Sequence, residues 1–247
     1  MFFQLRNSFI SALLLSAISV QSAQAAIALD RTRVVFDSTQ KSVTLHISNE
    51  NKKLPYLAQA WIEDAEGNKI NSPLVALPPV QRVEPGASSQ LKIQGLPAVT
   101  SLAQDRESLF FFNLREIPPK SSKPNTLQIA LQTRIKLFYR PSTIIADRNT
   151  APWQEQMTLS REGDKYRIHN PTSYYITLVE GRKSIKGKTV ESFKPIMLSP
   201  KSSQLLTSTI AEMGSAPIIN YVNDYGARPK LQFNCKVNQC LAVPVKE

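Results

Sequence analysis

Few residues in this chain could do chemistry. His46 and His169 are the only histidines, and Cys235 and Cys240 the only cysteines, among 247 residues. A zinc centre takes three or four such ligands at short spacings. The two histidines fall in different halves of the chain, so no metal site and no cofactor are expected. Each histidine alternates with apolar neighbours and is expected to point outward. The acidic pair Glu63/Asp64 stands beside a turn, where solvated acid is the expectation. There is no G-x-S-x-G elbow, no G-x-x-x-x-G-K-[ST] loop and no G-x-G-x-x-G after a strand. A Ser-His-Asp set gathered from distant positions has no positive support. No catalytic residue is expected.

The cysteines enclose Lys236-Val237-Asn238-Gln239. This is not the C-x-x-C spacing of a redox motif, and what it means depends on the compartment. Arg6 is the only charge in the first 25 residues, an apolar run spans Phe9 to Val20, and Ala23 and Ala25 form an A-x-A cleavage pattern. The run is shorter than the ~20 residues a membrane helix needs. Cleavage after Ala25 leaves 222 of the 247 residues. Export means an oxidising compartment, in which the cysteines are expected to bridge a hairpin turn.

The elements that would position any site read as strands. Val43, Leu45 and Ile47 alternate with polar residues, as do Leu91 and Ile93 and, more loosely, Leu109 to Ile117. Turn signals separate them at Glu66-Gly67-Asn68, Pro78-Pro79, Glu84-Pro85-Gly86 and Pro118-Pro119. The second half continues with Tyr166 to His169, Tyr174 to Val179, Ser203 to Thr207, Ile218 to Val222 and Leu231 to Val237. With 17 prolines and no long helical period, the class is all-β. The length suits two sandwich modules of ~100 residues, divided after Pro141 into residues 26–141 and 142–247. The net charge of +11 is compatible with an acidic protein partner or a membrane surface. Nucleic acid does not fit an exported chain, and the lysines at 183, 186 and 188 read as solvated loop charges.

One segment is too long for one sandwich. From Leu127 to Tyr139 the odd positions are Leu127, Ile129, Leu131, Thr133, Ile135, Leu137 and Tyr139. As a strand it would span roughly 43 Å at ~3.3 Å per residue. It is either a long central strand or an edge left open to pair with another chain. The pattern alone leaves both open.

The stretch Leu102 to Pro118, LAQDRESLFFFNLREIP, resembles the signature of the periplasmic pilus chaperones, in their P-pilus (PapD-like) branch. Leu29 to Arg33, Leu54 to Trp61, Lys136 to Pro141 and Asn223 to Gly226 fit the same family, so the resemblance covers essentially the whole mature chain. It implies two immunoglobulin-like domains set in an L shape behind a cleaved signal peptide. It also implies a periplasmic, non-enzymatic chaperone that binds, folds and caps pilus subunits without ATP and delivers them to an outer-membrane usher. By matching position, the donor-strand residues are Leu127, Ile129 and Leu131, and the anchor for a subunit's C-terminal carboxylate is Arg33 with Lys136. An inter-domain charge network maps to Glu107, Arg140 and Asp224. Cys235 and Cys240 match the disulfide of this branch. From composition alone Arg33 would be a surface residue and Lys136 a sheet-edge charge. Lys136 has the opposite parity from Leu131, so the strand either bulges or shows two faces. Edge-to-edge, self-capping dimers through the Leu127 strand stay open. A structural or adhesive fibre protein is the alternative; a secreted hydrolase has only generic residues behind it.

Overall fold

The computed structural model describes residues 25–147, 150–237 and 239–245. The expected leader lies outside them, apart from Ala25. Ten strands form the first unit: β1 (Ile27–Leu29), β2 (Arg33–Asp37), β3 (Ser42–Asn49), β4 (Tyr56–Glu63), β5 (Lys69–Ile70), β6 (Leu74–Leu77), β7 (Val80–Val83), β8 (Ser88–Gly95), β9 (Ser108–Ile117) and β10 (Gln132–Arg140). They pair as a four-stranded sheet, β1-β3-β8-β6, and a six-stranded sheet, β2-β10-β9-β4-β5 with β7 on β4. The alternating apolar positions face inward: Leu45, Ile47, Leu91 and Ile93 from one sheet, Phe36, Ile62, Phe112 and Leu137 from the other. Burying each such side chain contributes about 1.5–3 kcal/mol.

The first segment changes sheets. β1 pairs with β3 and β2 pairs with β10. Between them Asp30 donates its N–H to His46 O at 3.1 Å, and its carboxylate holds Arg31 at 2.7 Å. This crossing brings Arg33 to the start of β2.

The second unit comprises β11 (Thr158–Glu162), β12 (Lys165–Asn170), β13 (Ile176–Arg182), β14 (Ile196–Leu198), β15 (Ser202–Thr209), α1 (Ile210–Met213), β16 (Ile218–Val222), β17 (Lys230–Lys236) and β18 (Gln239–Pro244). Its strands join in one path, β14-β13-β16-β17-β18-β11-β12-β15, around a core that includes Tyr166, Leu178 and Phe233. Register shifts at Lys165/Arg167 and Leu178/Glu180 supply the local bends that let a sheet curve round its own core. The turn of α1 is fixed by a reciprocal cap between Thr209 and Glu212. Cys235 and Cys240 face each other across β17 and β18 and are disulfide-bonded. Both histidines are exposed.

Three local expectations need correction. The strand expected from Leu127 to Tyr139 begins only at Gln132. Its partner β9 ends at Ile117, and Pro118 and Pro119 have no N–H to continue the ladder. The last rung is Glu116 N to Leu131 O, at 3.0 Å. Tyr174 lies outside β13: Asn170 and Thr172 capture its backbone, and its ring stacks on Trp153 at 4.2 Å. Glu63 is not solvated acid. Its side chain is 14% exposed and accepts from Arg134 at 2.8 Å and from Trp61 Nε1 at 2.9 Å.

Candidate functional site

β10 carries the site on two faces. Its odd residues Ile135, Leu137 and Tyr139 enter the first core, while the even ones point the other way. The β9–β10 register runs unbroken from Gln132 to Tyr139, so no bulge explains the opposite parity of Leu131 and Lys136. The strand has two faces.

On the outward face, parallel pairing sets Lys136 beside Arg33. β10 lies between β2 and β9, so Lys136 is not a sheet-edge charge, and Arg33 is half-buried rather than a free surface residue. Lys136 Nζ donates to Thr177 Oγ1 at 3.0 Å. Arg33 Nη1 donates to Val222 O at 3.5 Å, and its Nε is buried without a hydrogen-bond partner. Thr177 and Val222 belong to the second unit, so both cations sit between the two. Among the described residues neither forms an ion pair. Burial lowers the pKa of Arg33, against a smaller opposing pull from Asp224. Burial and the neighbouring Arg33 charge lower that of Lys136. Two partly desolvated like charges, with Asp224 near Arg33 but in no ion pair with it, favour an anion that accepts hydrogen bonds from both. A cleft of about 530 Å³ opens beside Arg33, lined also by Arg31, Val35, Asp224 and Tyr225.

Four residues along β10, Arg140 meets the opposite circumstances. Its guanidinium lies within 2.6 Å of Glu107 and 2.8 Å of Asp224, with Trp153 and Tyr174 each 4.9 Å from it. Glu107 also accepts from Tyr175 N at 2.7 Å. Burial pushes Glu107 up to about 6 even though Arg140 pulls it down. Burial opposes the charge on Arg140, but Asp224 and Glu107 together raise its pKa. Asp224 is held by the turn Asn223 to Gly226, in which Asn223 Oδ1 accepts from Tyr225 N and Ala227 N at 3.0 Å each. Gly226 has φ +85, and a Cβ there would lie 2.9 Å from Thr32 Oγ1. Only glycine lets this turn lie so close to the segment before Arg33.

At the other end of β10, residues 127–130 carry no strand pairing, and Leu131 keeps only the rung from Glu116 N. Leu127 is 87% exposed, Ile129 67% and Leu131 40%. The structure therefore places Arg33 with Lys136, and Glu107 with Arg140 and Asp224, and leaves Leu127, Ile129 and Leu131 uncovered. It adds residues that the sequence reading did not single out: Thr177, Tyr175, the stacked Trp153 and Tyr174, and a link from Lys201 to Asp105 at 2.7 Å. The adjacent tyrosines after Asn170-Pro171 were the available hint, but nothing in the sequence says which distant residue each meets.

Comparison with known proteins gives concordant matches. Residues 26–145 match the family model of the pili and flagellar-assembly chaperone PapD N-terminal domain. Residues 152–233 match that of the pili assembly chaperone PapD C-terminal domain. The chain is 52% identical over 222 residues to chaperone protein PapD of Escherichia coli, covering 90% of this chain and 91% of that one. It is 49% identical over 229 residues to the probable fimbrial chaperone YfcS of Escherichia coli strain K12, covering 93% and 90%. Among solved structures, the periplasmic chaperone SfaE superposes with a TM-score of 0.66 at 31% identity, covering 83% of this chain and 98% of that one.

Proposed function

The chain belongs to the family of pili assembly chaperones, and on that premise we propose that it captures pilus subunits in the periplasm by lending them a strand and anchoring their C-terminal carboxylate. One observation carries this reading. Two half-buried cations that form no ion pair among the described residues stand side by side at Arg33 and Lys136, the second of them on the strand that continues into an apolar segment without strand pairing. From Leu131 to Lys136 the chain covers roughly 17 Å, and from Leu127 roughly 30 Å. A subunit whose last carboxylate rests on the cations runs its last strand along that continuation. Main-chain hydrogen bonds from residues 127–131 then give sequence-tolerant pairing, and Leu127, Ile129 and Leu131 enter alternate pockets of the subunit groove.

The pairing completes edges that are open on both partners, which is why capture suppresses aggregation. The charge network of Glu107, Arg140 and Asp224 holds the second unit where Val222 and Thr177 orient the two cations. Delivery to an outer-membrane usher follows for a capped subunit, and two free chains can cap each other through the same segment. The test is co-expression with a pilus subunit. Arg33→Ala and Lys136→Ala are each expected to lower the yield of soluble one-to-one complex at least tenfold. Wild-type yield in both variants would refute the anchor.

A further inference from the structure

We propose that the outward face of the six-stranded sheet, next to the anchor, is a second docking surface that fits an acidic face on the body of the bound subunit. The proposal rests on the capture reading above and extends it from the subunit's terminal strand to its surface. Cross-strand register lays the face out in rows. The first row runs Arg33, Lys136, Phe111, Glu63, Lys69. The second is Arg134, Asn113, Trp61, and the third Gln132, Arg115, Gln59.

These rows hold five cations and one acid. The acid, Glu63, is already bound to Arg134 at 2.8 Å. The cations are also held in place. Arg134 lies 3.4 Å from the Phe111 ring centroid. Arg115 and Lys69 lie 5.3 and 5.8 Å from that of Trp61. Arg115 is further fixed by Gln59 Oε1 at 2.6 Å. Stacking on aromatic faces preorganises the charged heads while leaving Arg115 and Lys69 exposed. Beneath them Asn113 is fully buried and its Oδ1 accepts from Gln132 Nε2 at 2.9 Å, which ties the second row to the third. A preordered, positive face continuous with the anchor row is complementary to carboxylates on the captured subunit. Its rim charges act mainly on the rate of encounter and on salt dependence.

The test compares three variants against the pilus subunit that co-purifies one-to-one with the protein. They are K69E/R115E on the face, K183E/K188E as a charge-matched pair in a distant exposed loop, and R33A in the anchor. Association rates are measured at 50 and 500 mM NaCl, with circular dichroism checking the fold and K69Q/R115Q replacing the reversal if it unfolds. K69E/R115E is expected to slow association about tenfold at 50 mM, with the difference gone at 500 mM, where screening is nearly complete beyond a few ångströms. K183E/K188E should stay within twofold of wild type. If K69E/R115E slows association no more than K183E/K188E while R33A still abolishes binding, the acidic-face proposal falls and the anchor stands. If R33A and the Lys136→Ala variant above both bind normally, the anchor of the capture reading falls. Loss of binding to phosphatidylglycerol vesicles in K69E/R115E, with subunit association unchanged, would assign the face to a membrane and overturn the proposal.

Discussion

Arg140 and the pair Arg33/Lys136 share one face of one strand system and are all at least half withdrawn from water, yet they are in opposite states. Arg140 has two carboxylates and two aromatic faces around it. Arg33 and Lys136 have a carbonyl, a hydroxyl and each other, with Asp224 acting on Arg33 only at longer range. The first cluster is electrostatically complete and joins the two units. The second is incomplete and remains receptive. A buried cation surrounded by its own acids belongs to the architecture, whereas the half-buried pair without an ion pair is the one the capture reading assigns to a ligand.

The contrast breaks first at Arg140. Arg140→Ala leaves Glu107 buried without its counter-charge and is expected to cost about 3–5 kcal/mol in denaturant unfolding. A cost below about 1 kcal/mol would show that the joint is not electrostatic. A smaller effect follows from Glu107. Its folded value of about 6 stands above its ordinary 4.5, so its stability contribution is full below pH 4.5 and is lost as pH rises through 6. Relative to Glu107→Gln, the wild type should therefore gain roughly 2 kcal/mol between pH 7.5 and 4.5. A flat difference would place Glu107 outside this joint's titration. The smallest effect is at the receptive site. Replacing an uncompensated, half-buried cation by a similar apolar chain should cost nothing, so Lys136→Met is expected to stabilise the free protein by about 0–1 kcal/mol. Marked destabilisation would mean that Lys136 serves the fold.

Much of the fold was legible because alternation is a local signal. Val43, Leu45 and Ile47, Leu91 and Ile93, and Leu109 to Ile117 all lie in strands. Local signal fails where a partner decides. Residues 127–131 alternate as well as 133–139 do, but Pro118 and Pro119 end the neighbouring ladder, so the same pattern yields a strand in one half and none in the other. Tyr174 looks like strand and is diverted by Asn170 and Trp153. At the site, the residue types came from family resemblance. The side-by-side placement of Arg33 and Lys136 depends on parallel pairing between segments a hundred residues apart, which no short-range pattern encodes. Glu63 read as solvated for the same reason: Arg134, its partner, arrives from two strands away.

The run from Leu127 to Ala130, which carries no strand pairing, also bears on how firmly a cargo can be held. Fixing the backbone of a residue costs roughly 1–2 kcal/mol of conformational entropy. Any backbone freedom that Leu127 to Ala130 give up on pairing therefore subtracts that cost, residue by residue, from whatever the contacts supply. On the capture reading proposed above, the segment is thus a brake on affinity. It lets a chain bury several large apolar side chains in a client and still let go, and it places the first point of release at the end of the strand farthest from the charged anchor.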